Sequence, residues 1–170
     1  KVRPQDHSHR VDLTDVPLVT IDGEDARDFD DAVYCEPSTK GKGKSAQSGW
    51  RLLVAIADVS HYVETGSAID IDAYDRATSV YFPRRVIPML PEKLSTDLTS
   101  LNPGQHRLAV VTEMTFKADG VLSHSNVLRA TVFNHAQLCY DAVSDWLQGQ
   151  GPLPEAAARV PGLAEQLRLQ

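Results

Sequence analysis

Apolar residues in this chain come mostly in short strand-like runs, and only a few recur at helical spacing. Residues 16–21 and 32–35 predict two strands on either side of a polar, acid-rich stretch. Residues 51–63 form a longer apolar run of β-branched character that ends in a turn at Thr65-Gly66. The runs 108–116 and 121–133 flank Asp119-Gly120, the strongest hairpin signal in the chain. Helical spacing is confined to three places. Ser67 offers an N-cap to a short helix with Ala68, Ile69, Ala73 and Tyr74 among its apolar positions. Leu138, Ala142, Val143, Trp146 and Leu147 share one helical face, which Gly149 ends, and Leu163 and Leu167 stand one turn apart near the C-terminus. Residues 38–49 predict a Lys/Gly/Ser-rich loop, and 81–91, with Pro83, Pro88 and Pro91, must be extended or irregular. Strands dominate. The pattern predicts an α+β fold, mainly antiparallel strands with a few helices, and it contains no internal repeat.

Composition narrows this picture only a little. At 170 residues the chain has the size of one domain and can bury a real core. Cys35 and Cys139 are far apart and in no metal-ligand spacing, as in a reduced, cytoplasmic protein. No apolar run approaches the length of a membrane span, and no signal peptide is evident, so no membrane partner is expected. Nothing in the sequence points to an obligate protein partner. The net charge of −6 argues against a generic nucleic-acid-binding surface, because affinity for a polyanion normally comes from Lys and Arg.

One segment changes the picture. Asp22, Glu24, Asp25, Asp28, Asp30 and Asp31 place six carboxylates within ten residues, between two segments that want to be buried. Like charges held close raise one another's pKa unless a cation neutralises them. Hard divalent ions with oxygen ligands do this, and Mg²⁺ usually takes one or two carboxylates and leaves its other positions to water and phosphate. A Ca²⁺ loop of the EF-hand type fails, since Arg27 occupies the sixth position counted from Asp22, where a glycine is required. A solvated acidic turn sits badly with Phe29 inside the run and apolar flanks on both sides. Gly43-Lys44-Ser45 ends like a phosphate-binding P-loop. The pattern needs a glycine where Ser38 stands and a helix where a strand follows, so a hairpin insertion is the better reading.

The run Thr20-Ile-Asp-Gly-Glu-Asp-Ala-Arg-Asp-Phe-Asp-Asp-Ala-Val-Tyr34 closely resembles the signature of the RNase II/RNase R exoribonucleases, in wording nearer the RNase R branch. Further blocks follow in that family's order: Val54-Ala-Ile-Ala-Asp-Val-Ser-His-Tyr-Val63, Thr78-Ser-Val-Tyr-Phe-Pro83, Ile87-Pro-Met-Leu-Pro-Glu-Lys-Leu-Ser95, Ser100-Leu-Asn-Pro103 and Leu138-Cys-Tyr-Asp-Ala-Val-Ser-Asp-Trp-Leu147. Together they span most of residues 11 to about 150. The resemblance implies a processive 3′-to-5′ exoribonuclease that uses Mg²⁺, with Mn²⁺ as a substitute, and turns single-stranded RNA into 5′-nucleoside monophosphates. It implies that residues 1–170 are the N-terminal part of a ribonuclease II-type catalytic domain, with both ends trimmed and the flanking cold-shock-like and S1 domains absent. The family's later arginine and base-stacking aromatic match no residue here.

Residue by residue, Asp22, Asp28, Asp30 and Asp31 match the family's four acidic metal positions. Asp22 and Asp31 are the candidates for direct ligands of the more firmly held ion. Asp28 and Asp30 are the candidates for the catalytic pair that holds a second ion or orients the attacking water. Glu24 and Asp25 read as solvated loop acids. Tyr81 matches an aromatic that lies against the 3′-terminal nucleotide, while Phe82 reads as core and His61 and Tyr62 as structural. Two rivals stay open: an RNA-binding relative that no longer cuts, and a metal nuclease acting on DNA.

Overall fold

The hairpin signal at Asp119-Gly120 joins the last two strands of the computed structural model, which describes residues 3–40, 47–83 and 85–169. Strands β6 (His106–Lys117) and β7 (Leu122–Cys139) pair antiparallel from His106–Phe133 to Phe116–Leu122. Gly120 takes a φ of +80° in the turn, a conformation open to glycine at little cost. Before this hairpin come β1 (Val11–Asp22), β2 (Asp31–Lys40) and β3 (Gln47–Ala57). All three run longer than, or end differently from, their apolar cores. Strands β2 and β3 pair as far as Lys40 and Gln47, so both ends of the polar stretch expected as loop, residues 38–40 and 47–49, are ladder. Gly43-Lys44-Ser45 falls outside the described residues.

The sheet is a closed barrel in the order β1-β2-β3-β6-β7. The neighbours β1–β2, β2–β3, β3–β6 and β6–β7 are antiparallel, but β1 and β7 close the barrel as a parallel pair. The expected mainly antiparallel strands are present, but they close into a barrel through one parallel pair. Closure joins the first strand to the last, and short-range pattern carries no record of it. The parallel seam is irregular, with register shifts between Leu13 and Leu18 and again between Leu18 and Val19. Asn134 fills the gap that these shifts leave. Its Nδ2 donates to Thr20 Oγ1 (3.1 Å) and to the Leu101 carbonyl (2.7 Å), and its Oδ1 accepts from the Ala136 N–H (3.1 Å). Thr20 and Asn134 are both buried, so these bonds satisfy groups that water cannot reach.

Alternate residues of the strands point into the barrel: Leu53, Ala55 and Ala57 from β3, Ala109 and Val111 from β6, Ala130 and Val132 from β7. Alanines predominate because a five-stranded barrel leaves little interior volume for side chains. A second core lies on the outside of β1 and β7. Val19, Ala136 and Leu138 meet Val143 of α2 (Tyr140–Leu147), Ala157 of α3 (Glu155–Ala158), and Leu163 and Leu167 of α4 (Leu163–Leu167). Leu138 therefore belongs to the strand and not to the helix face it was assigned to, and α2 begins two residues later. Helix α3 has only four residues and carries no periodicity of its own.

The apolar run of 51–63 stops being strand at Ala57, because Asp58 is buried and turns the chain. Its carboxylate accepts from Arg10 (2.7 Å) and from Ser60 Oγ (2.6 Å), and a single 3₁₀ turn follows at Val59–His61. Residues 4–10, ahead of β1, thus act as a strap across one end of the barrel. His61 shares it through its Nε2 contact with the Pro4 carbonyl (2.9 Å), a structural role. Helix α1 (Ala68–Arg76) starts as expected, with Ser67 Oγ accepting from the Asp70 N–H. The segment expected as extended or irregular begins in a small two-stranded hairpin apart from the barrel, β4 (Val80–Phe82) with β5 (Arg85–Ile87).

Replacing Asn134 by Ala leaves Thr20, the Leu101 carbonyl and the Ala136 N–H without their partner. Urea denaturation should show a loss of about 1–3 kcal/mol. An unchanged midpoint would mean that the parallel seam holds without this side chain.

Candidate functional site

The acid-rich loop, residues 23–30, joins the end of β1 to the start of β2, and both ends are fixed by strand pairing. Asp22 sits in the parallel ladder opposite Cys139, and Asp31 in the antiparallel ladder opposite Ile56. Between them Phe29 is an anchor, only 6% exposed and packed with the barrel core. Its N–H donates to Ser100 Oγ (3.0 Å), and its carbonyl accepts from the Leu101 N–H (2.7 Å). The next carbonyl, that of Asp30, accepts from the Ala57 N–H (2.9 Å). Arg107 steadies the far side, donating to the Ser100 carbonyl (3.0 Å) and to Asp97 (3.1 Å). Asp28 and Asp30 flank the buried ring and cannot follow it into the apolar interior. They stay at the barrel mouth.

All five residues expected from the sequence meet there. Asp22, Asp28, Asp30, Asp31 and Tyr81 line one cleft of about 640 Å³. Glu24 and Asp25, expected as solvated loop acids, are exposed and border the same cleft. Tyr81 reaches it from β4, and its hydroxyl donates to Asp28 Oδ2 (3.1 Å) while the residue remains 64% exposed. Desolvation first, and then the Asp28 carboxylate, push the phenol above its ordinary range. Phe82 is not core, contrary to the sequence reading. It is 54% exposed, because the β4–β5 hairpin stands off the barrel and successive strand residues face opposite ways.

Sequence reasoning missed Asp141. It lies in the first turn of α2 and reaches the cleft because Cys139 pairs beside Asp22. Asp141 was inside one of the quoted blocks, but no spacing linked it to the acidic run. Only the parallel seam brings the two together.

Charge crowding shows most clearly at Asp22. Its Oδ2 is buried without a hydrogen-bond partner among the described residues. Desolvation, followed by the charges of Asp31, Asp30 and Asp28, raises its pKa from 3.8 to about 6. Asp30 is raised as well, again by desolvation first and then by Asp28 and Asp31. An orphan carboxylate oxygen in an all-oxygen donor set fits a hard divalent cation. Among the described residues no three acidic or imidazole side chains gather around one point.

A model of the RNB domain family matches residues 10–170. Ribonuclease R of Escherichia coli (strain K12) is 53% identical over 158 residues, covering 93% of this chain and 19% of that protein. The chain is also similar to Mycoplasma genitalium RNase R solved with double-stranded RNA, at a TM-score of 0.77 and 37% identity. That match covers 94% of this chain and 27% of the solved one. Yeast Ssd1, described as a pseudonuclease, shares the fold at a TM-score of 0.70 and 19% identity, over 93% of this chain and 19% of its own. This chain therefore spans about a fifth of the length of the curated relative from E. coli.

The raised pKa of Asp22 has a stability consequence of definite sign. A carboxyl that titrates higher in the fold than in the unfolded chain favours folding while protonated. That contribution is lost as pH rises from 3.8 through about 6. Asp22→Asn should therefore flatten the loss over this window in EDTA. After discounting for the exposed part of the side chain, roughly 1 kcal/mol at pH 7 corresponds to a melting temperature about 2–4 °C higher. Mg²⁺ should stabilise the wild-type chain more than the variant. Superimposable melting-against-pH curves would remove Asp22 from this role.

Proposed function

The chain belongs to the RNB domain family, and from that premise we propose that it forms the metal-binding acidic cleft of a 3′-to-5′ exoribonuclease. The substrate is single-stranded RNA, trimmed processively to 5′-nucleoside monophosphates. Residues 1–170 are then the N-terminal part of a ribonuclease II-type catalytic domain in a cytoplasmic enzyme. The observation that carries this reading is the meeting of Asp22, Asp28, Asp30, Asp31 and Tyr81 in one cleft. Cys35 and Cys139 are both free thiols, which suits a reducing compartment, and no described helix is long and apolar enough to cross a membrane.

Bound Mg²⁺, or Mn²⁺ in its place, neutralises the phosphate and lowers the pKa of a water molecule. The protein's part is positioning. Asp22 and Asp31 lie at strand ends whose ladders fix their backbones, which suits them to hold the more firmly bound ion. Asp28 and Asp30 ride on the anchored loop and serve a second ion or the attacking water. Tyr81 presents an exposed ring beside them, tethered through Asp28. A base stacked on such a ring gains about 1–3 kcal/mol with little regard to sequence. The barrel fold alone does not separate an active nuclease from an inert relative; the intact set of aspartates favours the active one.

In a full-length ribonuclease carrying this segment, Asp30→Asn should slow hydrolysis of 3′-labelled single-stranded RNA by at least about 10²–10³-fold. Binding of that RNA should survive, and EDTA should abolish cutting by the unmodified enzyme. Near-normal turnover of the variant would take Asp30 out of the mechanism. Equal cutting of DNA, or cuts within a circular RNA, would replace the exoribonuclease reading. Residues 1–170 alone should degrade RNA at least about 10²-fold more slowly, since stabilising charge from elsewhere in the protein is missing. A fragment that works as fast as the full enzyme would show that the site is complete within it.

A further inference from the structure

Arg27 sits in the middle of the acidic loop, two residues after Asp25 and next to Asp28. It is exposed, and among the described residues it is the one cationic side chain that lines the cleft. Nearby acids do not engage it. Arg10, Arg51, Arg76, Arg107 and Arg159 each pair with a carboxylate, yet Arg27 makes no ion pair or hydrogen bond with any described residue. A guanidinium among six carboxylates and bonded to none of them is an odd arrangement, and the loop's construction accounts for it. Phe29 locks the segment to the barrel, and the Ala26 N–H closes a turn on the Gly23 carbonyl (3.1 Å). Asp28 is occupied by Tyr81 (3.1 Å), and Asp22 is held at the end of its strand. The five guanidinium donors remain open at the cleft mouth.

That placement has a use only if something anionic arrives. An RNA strand entering this cleft meets a wall of carboxylates, and metal ions neutralise only the phosphate at the reaction centre. A neighbouring phosphate needs its own cation. Guanidinium meets two phosphate oxygens at once through parallel N–H donors, a geometry that an ammonium lacks. Resting on the ribonuclease reading of the cleft, we propose that Arg27 grips a backbone phosphate of the incoming strand next to the one being cut. It is a substrate-positioning residue, supplied from within the acidic loop itself. Its position beside Asp28 links the register of the strand to the loop that carries the catalytic acids.

The test uses a full-length ribonuclease carrying this segment, with Arg27→Gln and Arg27→Lys, on a single-stranded oligoribonucleotide. Arg27→Gln should weaken RNA binding about tenfold, mostly as a raised KM with kcat held within about twofold. The slope of log affinity against log salt should fall by about 0.7, the release expected for one phosphate contact on a single strand. Arg27→Lys should restore the slope but only part of the affinity, because the charge returns without the fork. Mg²⁺ affinity, measured without RNA, separates this from a role in neutralising the acids. Tighter Mg²⁺ binding in Arg27→Gln with an unchanged salt slope and KM would overturn the assignment. Failure of the unmodified enzyme to cut the oligoribonucleotide would overturn the ribonuclease reading itself, a result distinct from normal cutting with an indifferent Arg27.

Discussion

A single aromatic ring reconciles two demands that otherwise conflict. The acidic loop must hold its carboxylates close together, and like charges a few ångströms apart repel by several kcal/mol even when partly screened. Left to itself such a segment would spread into solvent. Phe29 prevents this by burying its ring in the barrel core between two residues that must stay outside. Burial of a side chain of that size contributes about 1.5–3 kcal/mol. The bonds to Ser100, Leu101 and Ala57 add about 0.5–1.5 kcal/mol each. These are comparable with the repulsion of one such pair, and they hold the loop at the barrel mouth. Burial first, and then the charges of Asp31, Asp30 and Asp28, leave the Asp22 carboxyl raised to about 6.

The anchor works only because its receptor is rigid. Ser100 and Leu101 lie in an irregular segment, held by Arg107 on one side and by the Leu101–Asn134 bond on the other. Asn134 also stitches the parallel seam that closes the barrel. One buried amide therefore ties three things together: barrel closure, the register of β1, and the segment on which Phe29 rests. The same seam sets Cys139 beside Asp22 and so delivers the start of α2, with Asp141, to the cleft. Fold and site share the same bonds here.

What could be read from the sequence follows the range of the interaction involved. The β6–β7 hairpin, the Ser67 cap and the acidic loop are local devices, written in neighbouring residues, and all three stand as expected. Tyr81, which resemblance and not periodicity singled out as lying against a nucleotide, lines the same cleft as the aspartates and donates to Asp28. The strap from Pro4 to Arg10, the parallel closure and Asp141 depend on partners far along the chain, where no local pattern reaches. The misassignment of Phe82 has a different cause. An aromatic in a strand-like run is usually buried, but β4 pairs only with β5 and has no sheet behind it to cover its second face.

The acidity of this chain, which argued against nucleic-acid binding when counted over all residues, takes another meaning once it is located. Net charge governs long-range attraction averaged over a surface, whereas the carboxylates of the cleft act within a few ångströms. Without a cation they repel phosphate and partly protonate. With a divalent ion in place the same oxygens become the walls of an anion-binding site. Under the ribonuclease reading, a phosphate at the reaction centre would therefore be held only with the cation in place. Tyr81 and Arg27 stand outside that condition, because a stacked base and a bidentate phosphate contact need no metal. Under the same reading they would give the strand a place at the cleft edge. Under the proposed function the cleft thus separates holding the strand, at Tyr81 and Arg27, from cutting it, the task of the aspartates between them.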